Sequence, residues 1–327
     1  MIEIRDLSRR YGPRTAVDGL TFTVAPGRVT GFLGPNGAGK STTLRMILGL
    51  ERPSGGRALV LGRPYRELRE PLRRVGALLD AGAAHPGRSA RSHLAAVAAS
   101  NRLPAWRVAE VLDLTGLASA ARRRVGSFSL GMKQRLGIAV ALLGDPEVLL
   151  LDEPVNGLDP EGIHWIRTLM RELAADGRTV LVSSHLMSEM ALTADHLIVI
   201  GQGRLITDTP TADFLAAAAR SDVLVRSSAP ERLARLLADQ GASVRREDGN
   251  ALAVTGLDPR TIGELAAAAG LGVHELAVRT ASLEEAFMEI TGTAVEYRAT
   301  TTGATATAAG STTGTAATTT TDGTHAS

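Results

Sequence analysis

The chain has 327 residues, about two domains' worth, and a formal net charge of only +2, so charge gives no reason to expect a nucleic-acid partner. Cysteine is absent, which excludes disulfides, thiolate metal sites and cysteine nucleophiles. No apolar run approaches the roughly 18–20 residues of a membrane span; the best candidate, LGIAVALLGDPEVLLL (136–151), is cut by Asp145 and Pro146, so no direct membrane span is expected.

The opening MIEIRDLSRRYG is charged from Glu3 onward and has no apolar core, which reads against a signal peptide. Within residues 1–33, IEIRDL, LTFTVA and RVTGFL read as short strands. The apolar spacing of TTLRMILGL (42–50) predicts a helix that starts directly after a glycine-rich loop. That loop, GPNGAGKST (Gly34, Pro35, Asn36, Gly37, Ala38, Gly39, Lys40, Ser41, Thr42), fits G-x-x-x-x-G-K-[ST]. In such a loop backbone N–H groups wrap a polyphosphate at a helix N-terminus, whose partial positive charge favours the anion. Lys40 and Lys133 are the only lysines among 36 basic residues. A compact ammonium on a flexible stem reaches β- and γ-phosphates where a planar guanidinium is too wide. Ser41 is placed to ligate magnesium and Thr42 to meet an outer phosphate.

Residues of about 87–143 read as mostly helical, and two continuous apolar runs follow, VLLLD (148–152) and TVLVSSH (179–185), separated by a helical stretch. This is the βαβ pattern of a buried parallel sheet. Asp152 and Glu153 fall where the first run ends, the edge at which such sheets bind ligands. Asp152 can hold magnesium, and Glu153 can take a proton from attacking water. His185 ends the second run; read alone, a single histidine there is a structural one.

From about 221 the pattern changes to β-α-β-β-α-β: DVLVRSS, a helix from Pro230, SVRRE, ALAVTG, a helix from Asp258, and VHELAVRT. A final helix is expected over SLEEAFMEITG. From Thr293 onward Thr, Ala and Gly dominate without apolar periodicity, which predicts a disordered tail.

Taken in order, these motifs resemble the nucleotide-binding subunit of an ATP-binding cassette (ABC) transporter over roughly the first 220 residues. Residues 34–42 match its Walker A motif and 148–153 its Walker B motif with the catalytic glutamate; FSLGMKQR (128–135) resembles the family signature and GLDP (157–160) the D-loop. The resemblance implies that Tyr11 stacks on adenine, that Ser129 and Gly131 meet the γ-phosphate, and that Glu153 and His185 are catalytic. It departs at the signature, where Leu130 and Met132 replace a glycine and a glutamine, and at the Q-loop, where Asp80 stands for a glutamine and becomes a candidate magnesium ligand. These departures and the C-terminal extension resemble ATPase subunits of drug- and antibiotic-resistance exporters, such as the daunorubicin- and bacitracin-resistance types.

The implied fold is α/β, a P-loop NTPase of the ABC-cassette type with an N-terminal antiparallel β subdomain. A helical subdomain at about 87–143 completes the cassette of residues 1–220, and a small α+β accessory domain at 221–292 precedes the tail, 293–327. ATP and magnesium are the implied ligands. One Walker A and one signature per chain imply a second cassette, in a homodimer, and separate multi-span permease subunits on the cytoplasmic face of the membrane. The alternative reading is a non-transport regulatory ABC ATPase. A GTP switch is excluded, because its N-K-x-D motif needs a lysine this chain does not have.

Overall fold

The computed structural model describes residues 1–218 and 221–280. The first half contains β1 (Ile2–Tyr11), β2 (Arg14–Val24), β3 (Arg28–Leu33), α1 (Lys40–Ile47), β4 (Gly55–Val60), α2 (Pro71–Arg74), β5 (Val75–Leu78), α3 (Ala90–Ser100), α4 (Trp106–Leu114) and α5 (Leu130–Leu142). There follow β6 (Val148–Asp152), α6 (Pro160–Ala175), β7 (Thr179–Ser184), α7 (Met187–Ala191), β8 (His196–Gly201), β9 (Arg204–Pro210) and α8 (Thr211–Ala218). The last described elements are β10 (Ser221–Ser227), α9 (Pro230–Asp239), β11 (Ser243–Glu247), β12 (Ala251–Thr255), α10 (Pro259–Ala268) and β13 (Val273–Thr280).

Three sheets organise these elements. An antiparallel sheet runs β2-β1-β4, and a six-stranded sheet runs β5-β6-β7-β3-β8-β9, parallel except for the edge strand β9. Side chains alternate along a strand, so the inner strands of the large sheet supply two cores. Leu149, Leu151, Val180 and Val182 pack with the helical residues Leu94, Val111 and Leu136. Leu150, Leu181 and Ile198 pack instead with Ile4, Leu20 and Leu44 from the antiparallel sheet and α1. The chain thus joins its phosphate-loop helix to one face and its helical segment to the other.

Strand β1 extends past IEIRDL to Tyr11 because β2 also starts early and pairs Tyr11 with Arg14 across a tight turn at Gly12. Strands β4, β5, β8 and β9 were not picked out from the sequence. Residues 221–280 form their own antiparallel sheet, β11-β12-β10-β13, with Leu233, Leu237, Ile262 and Ala266 of the two helices buried against Val223, Val225, Leu252 and Val254. Placing β12 between β10 and β11 is the split βαβ topology. The helix read over SLEEAFMEITG and the tail lie outside the described residues.

Helix α5 lies unusually close to β5. A methyl group on Gly76 would stand 2.0 Å from the Ala141 carbonyl oxygen, and one on Gly137 would stand 2.4 Å from Leu78 Cδ1. Glycine on both surfaces therefore sets how α5 seats on the sheet. Gly76→Ala is expected to force strand and helix apart and to cost about 2 kcal/mol of stability or more, as overpacked cores do. An unchanged urea midpoint would show that the contact yields without cost.

Candidate active site

Because β6, β7 and β3 are parallel neighbours, their carboxyl ends open on one edge, which brings Asp152, His185 and the loop at residues 34–42 together. A cavity of about 480 Å³ opens there, lined by Tyr11, Pro35, Asn36, Gly37, Ala38, Gly39, Lys40, Ser41, Thr42 and Glu153, with Arg14 and Ala16. Gly39 holds φ at +102°, and a methyl there would lie 2.6 Å from the Ala16 carbonyl oxygen. Only glycine permits that turn into α1. Gly34 is buried at the root of the loop, where its carbonyl accepts from Lys40.

Lys40 is only 6% exposed. Its Nζ donates to the Gly34 carbonyl at 2.6 Å and to that of Pro35 at 3.4 Å, and lies 3.6 Å from Glu153 Oε1. Burial pulls its pKa below that of an ordinary lysine, opposed by the charges of Glu153 and Asp152. The second oxygen of Glu153 accepts from His185 Nδ1 at 2.9 Å. One carboxylate thus bridges an ammonium and an imidazole at the mouth of the phosphate loop.

The backbone of Glu153 is unusual. Its φ is +48°, a left-handed conformation rare outside glycine and costing of order 1 kcal/mol or more. Both sides of the residue are clamped: its N–H donates to Ser183 Oγ at 3.0 Å, and its carbonyl accepts from Gln134 Nε2 at 3.0 Å. Ser183 also donates to Asp152 Oδ1 at 2.5 Å. Ser183 and Gln134 were missed in the sequence. The signals were there: a hydroxyl inside the apolar run TVLVSSH, and an amide that α5 buries only five residues past its N-cap. Burial also pushes the Glu189 carboxyl of α7 up, with Arg167 and His185 opposing it and Glu153 adding to it.

Tyr11 reaches the cavity from β1. Arg9 covers its ring at 4.5 Å from the centroid, and its hydroxyl donates to Glu51. Held in this way, the ring is 42% exposed and open to a flat ligand. Ser129 and Gly131 do not line this cavity. Ser129 caps α5 by accepting from Met132 N at 3.2 Å, and Gly131 packs against Gly157, where a methyl would stand 2.8 Å from the Gly157 carbonyl oxygen.

Asp80 does not line this cavity. Strand β5 ends at Leu78, and the chain turns with the Asp80 carboxylate accepting from Gly82 N at 2.7 Å. It lines instead a separate apolar cavity of about 330 Å³ with Leu48, Leu72, Leu136 and Val140. No group of three or more His, Asp or Glu among the described residues is arranged to hold a metal. Ser41 and Asp152 each offer a hard oxygen, and Asp152 Oδ1 is oriented by Ser183. Such a pair suits magnesium, which binds through one or two protein oxygens together with substrate phosphates and water.

The sequence pattern of the family described as ABC transporter matches residues 17–156, and that of a Domain of unknown function (DUF8746) matches residues 221–284. The chain is 35% identical over 295 residues to an uncharacterized ABC transporter ATP-binding protein, YhcH, of Bacillus subtilis (strain 168), covering 89% of this chain and 96% of that one. It is 42% identical over 215 residues to the bacitracin transport ATP-binding protein BcrA of Bacillus licheniformis, covering 64% of this chain and 70% of that one. A solved structure of the ATP binding subunit of an ABC transporter superposes with a TM-score of 0.61 at 28% identity, covering 66% of this chain and 92% of that one.

The clamp on Glu153 can be tested directly. Ser183→Ala leaves the Glu153 N–H without its acceptor and frees the Asp152 carboxylate, so stability is expected to fall by about 1–3 kcal/mol. Chemical denaturation measures the loss. A variant as stable as the wild type would show that Ser183 does not hold the turn.

Proposed function

The chain belongs to the ABC transporter family as an ATP-binding, ATP-hydrolysing subunit, and from that premise we propose how its residues divide the work and what they drive. The observation that carries the reading is the Glu153 carboxylate, shared between Lys40 and His185 at the mouth of the phosphate loop. In the nucleotide-free geometry Glu153 serves as counter-ion to a buried ammonium. The β- and γ-phosphates of ATP supply that negative charge instead, and Glu153 is released to accept a proton from the attacking water. His185 orients the carboxylate and the γ-phosphate. The backbone N–H groups of residues 34–42 bind the phosphates, and Tyr11 stacks on the base. Ser41 and Asp152 would hold magnesium, which would neutralise phosphate charge.

Ser129 and Gly131 stand on a surface away from their own chain's cavity. This supports a head-to-tail homodimer in which they close over ATP bound to the second copy. No helix among the described residues is long and apolar enough to cross a membrane. The substrate path is assigned to separate multi-span permease subunits, with this chain peripheral on the cytoplasmic face. The apolar cavity beside Asp80, walled by Leu48, Leu72, Leu136 and Val140, is the groove assigned to the permease. The bacitracin-transport name of one relative supports export of an antibiotic or a similar amphipathic compound. Residues 221–292 are proposed as an accessory domain with a core of its own, separate from the cassette of residues 1–220.

Glu153→Gln is expected to retain ATP binding while steady-state hydrolysis falls roughly 10²–10⁴-fold. Turnover within a few fold of wild type would remove Glu153 from the proton-accepting role.

A second expectation follows from Lys40. ATP binds the ammonium form, and burial has lowered its pKa, so ATP affinity is expected to decline as pH rises through that lowered value, sooner than for an ordinary lysine. In Lys40→Arg the guanidinium stays charged, so affinity should be weaker throughout but lack this alkaline decline. Calorimetric titration with ATP from neutral to alkaline pH distinguishes the two profiles. Parallel declines would detach the effect from Lys40.

A further inference from the structure

A third cavity, of about 430 Å³, opens past the C-terminal end of α1 and is lined in part by Arg52, Arg57, Arg66, Tyr65 and Glu51. The three arginines are exposed, and none of their side chains has an ion pair or hydrogen bond among the described residues. Glu51 is the only carboxylate in the lining, and its charge is already matched: it lies 3.5 Å from Arg9 and 3.7 Å from Arg45, and accepts from the Tyr11 hydroxyl. Arg57 also stands directly across β1/β4 from Arg5, a like-charge pairing that costs stability. Arg5 has Glu3 at 2.6 Å, whereas Arg57 has no such relief. Arg63 and Arg69, in the segment that carries Arg66, are exposed and equally unpaired among the described residues.

Among the described residues most arginines outside this segment have side-chain partners, and five without one cluster within residues 52–69, which suits an anion from outside. The site has the right chemistry for a phosphodiester: guanidinium forks bind phosphate oxygens two at a time. Tyr65 is part of the same lining, and burial pushes its hydroxyl's pKa up. Tyr65 also lines the apolar groove at Leu48 and Leu136, so the two cavities share a wall.

We propose that the cavity of Arg52, Arg57 and Arg66 binds the phosphate of anionic phospholipid headgroups, tethering the subunit to the membrane surface beside its docked permease. The orientation toward the membrane rests on the assignment of the neighbouring groove to the permease; lipid binding itself does not. An anionic leaflet attracts each basic side chain near its surface, and the attraction is screened by salt.

The test uses the full chain and vesicles without any permease, so it stands apart from the docking assignment. Sedimentation with vesicles of phosphatidylcholine alone is compared with vesicles that also contain phosphatidylglycerol. The wild type is expected to partition at least about 10²-fold more strongly onto the anionic vesicles, and less so at high salt. The triple variant R52Q/R57Q/R66Q should lose roughly 10²-fold, near fivefold per arginine, while hydrolysing ATP at the wild-type rate. A control, R122Q/R123Q/R124Q, removes the same charge from another exposed segment and should keep binding. Equal losses in the two triple variants would overturn the proposal in favour of net charge. Displacement from the vesicles by millimolar inorganic phosphate, or by a short RNA with the same arginine dependence, would overturn the lipid as occupant.

Discussion

An ammonium buried to 6% exposure is the constraint around which this cassette is arranged. A cation taken out of water must be met by opposite charge or dipoles, or it gives up its proton. Here two loop carbonyls and one carboxylate meet it, and each comes from a different strand end or from the loop between strand and helix. The loop carbonyls depend on glycines turning the chain into α1. The carboxylate depends on β6 ending level with β3, which the parallel pairing through β7 guarantees. The two cores on either face of that sheet hold the strand ends in register.

Helix α5 takes part in this arrangement at both ends of its job. Its N-cap is Ser129, on the surface assigned to the second copy, and its Gln134 holds the Glu153 carbonyl. Glycines at 76 and 137 let the helix sit hard against β5. A displacement of α5 when the surface around Ser129 is engaged would therefore pull on the strained turn that aims Glu153. The left-handed conformation at Glu153 is clamped on both sides, by hydrogen bonds to Ser183 and from Gln134.

What could be read in the sequence was whatever carries its own local signature. The glycine loop declared a backbone conformation, the runs VLLLD and TVLVSSH declared buried parallel strands, and the alternation after residue 221 gave the split βαβ order of strands. Strands β4 and β9 escaped notice because their exposed, arginine- and threonine-bearing residues are ordered by partners far away in the chain, not by any apolar period. Ser183 and Gln134 carry only a faint signal, a lone polar residue in an apolar run or on a buried helix face, and their task exists only once β6, β7 and α5 meet. Asp80 shows the opposite limit. A motif position by itself put it among the phosphate-site residues, but its carboxylate closes on the Gly82 N–H two residues on, and the side chain goes to a different cavity.

The contact between Leu130 and Gly157 has a consequence for how this sequence can drift. Leu130 occupies a position where the family signature has glycine, and its side chain lies over Gly157, whose φ is +76° and where any Cβ would fall 2.4 Å from Leu130 Cδ2. Two independent constraints therefore hold glycine at 157: its left-handed backbone strains any other residue, and a Cβ there would also have to displace the Leu130 side chain. Shrinking residue 130 would lift the second constraint and leave the first in place, so position 157 stays closed to larger residues whatever stands at 130.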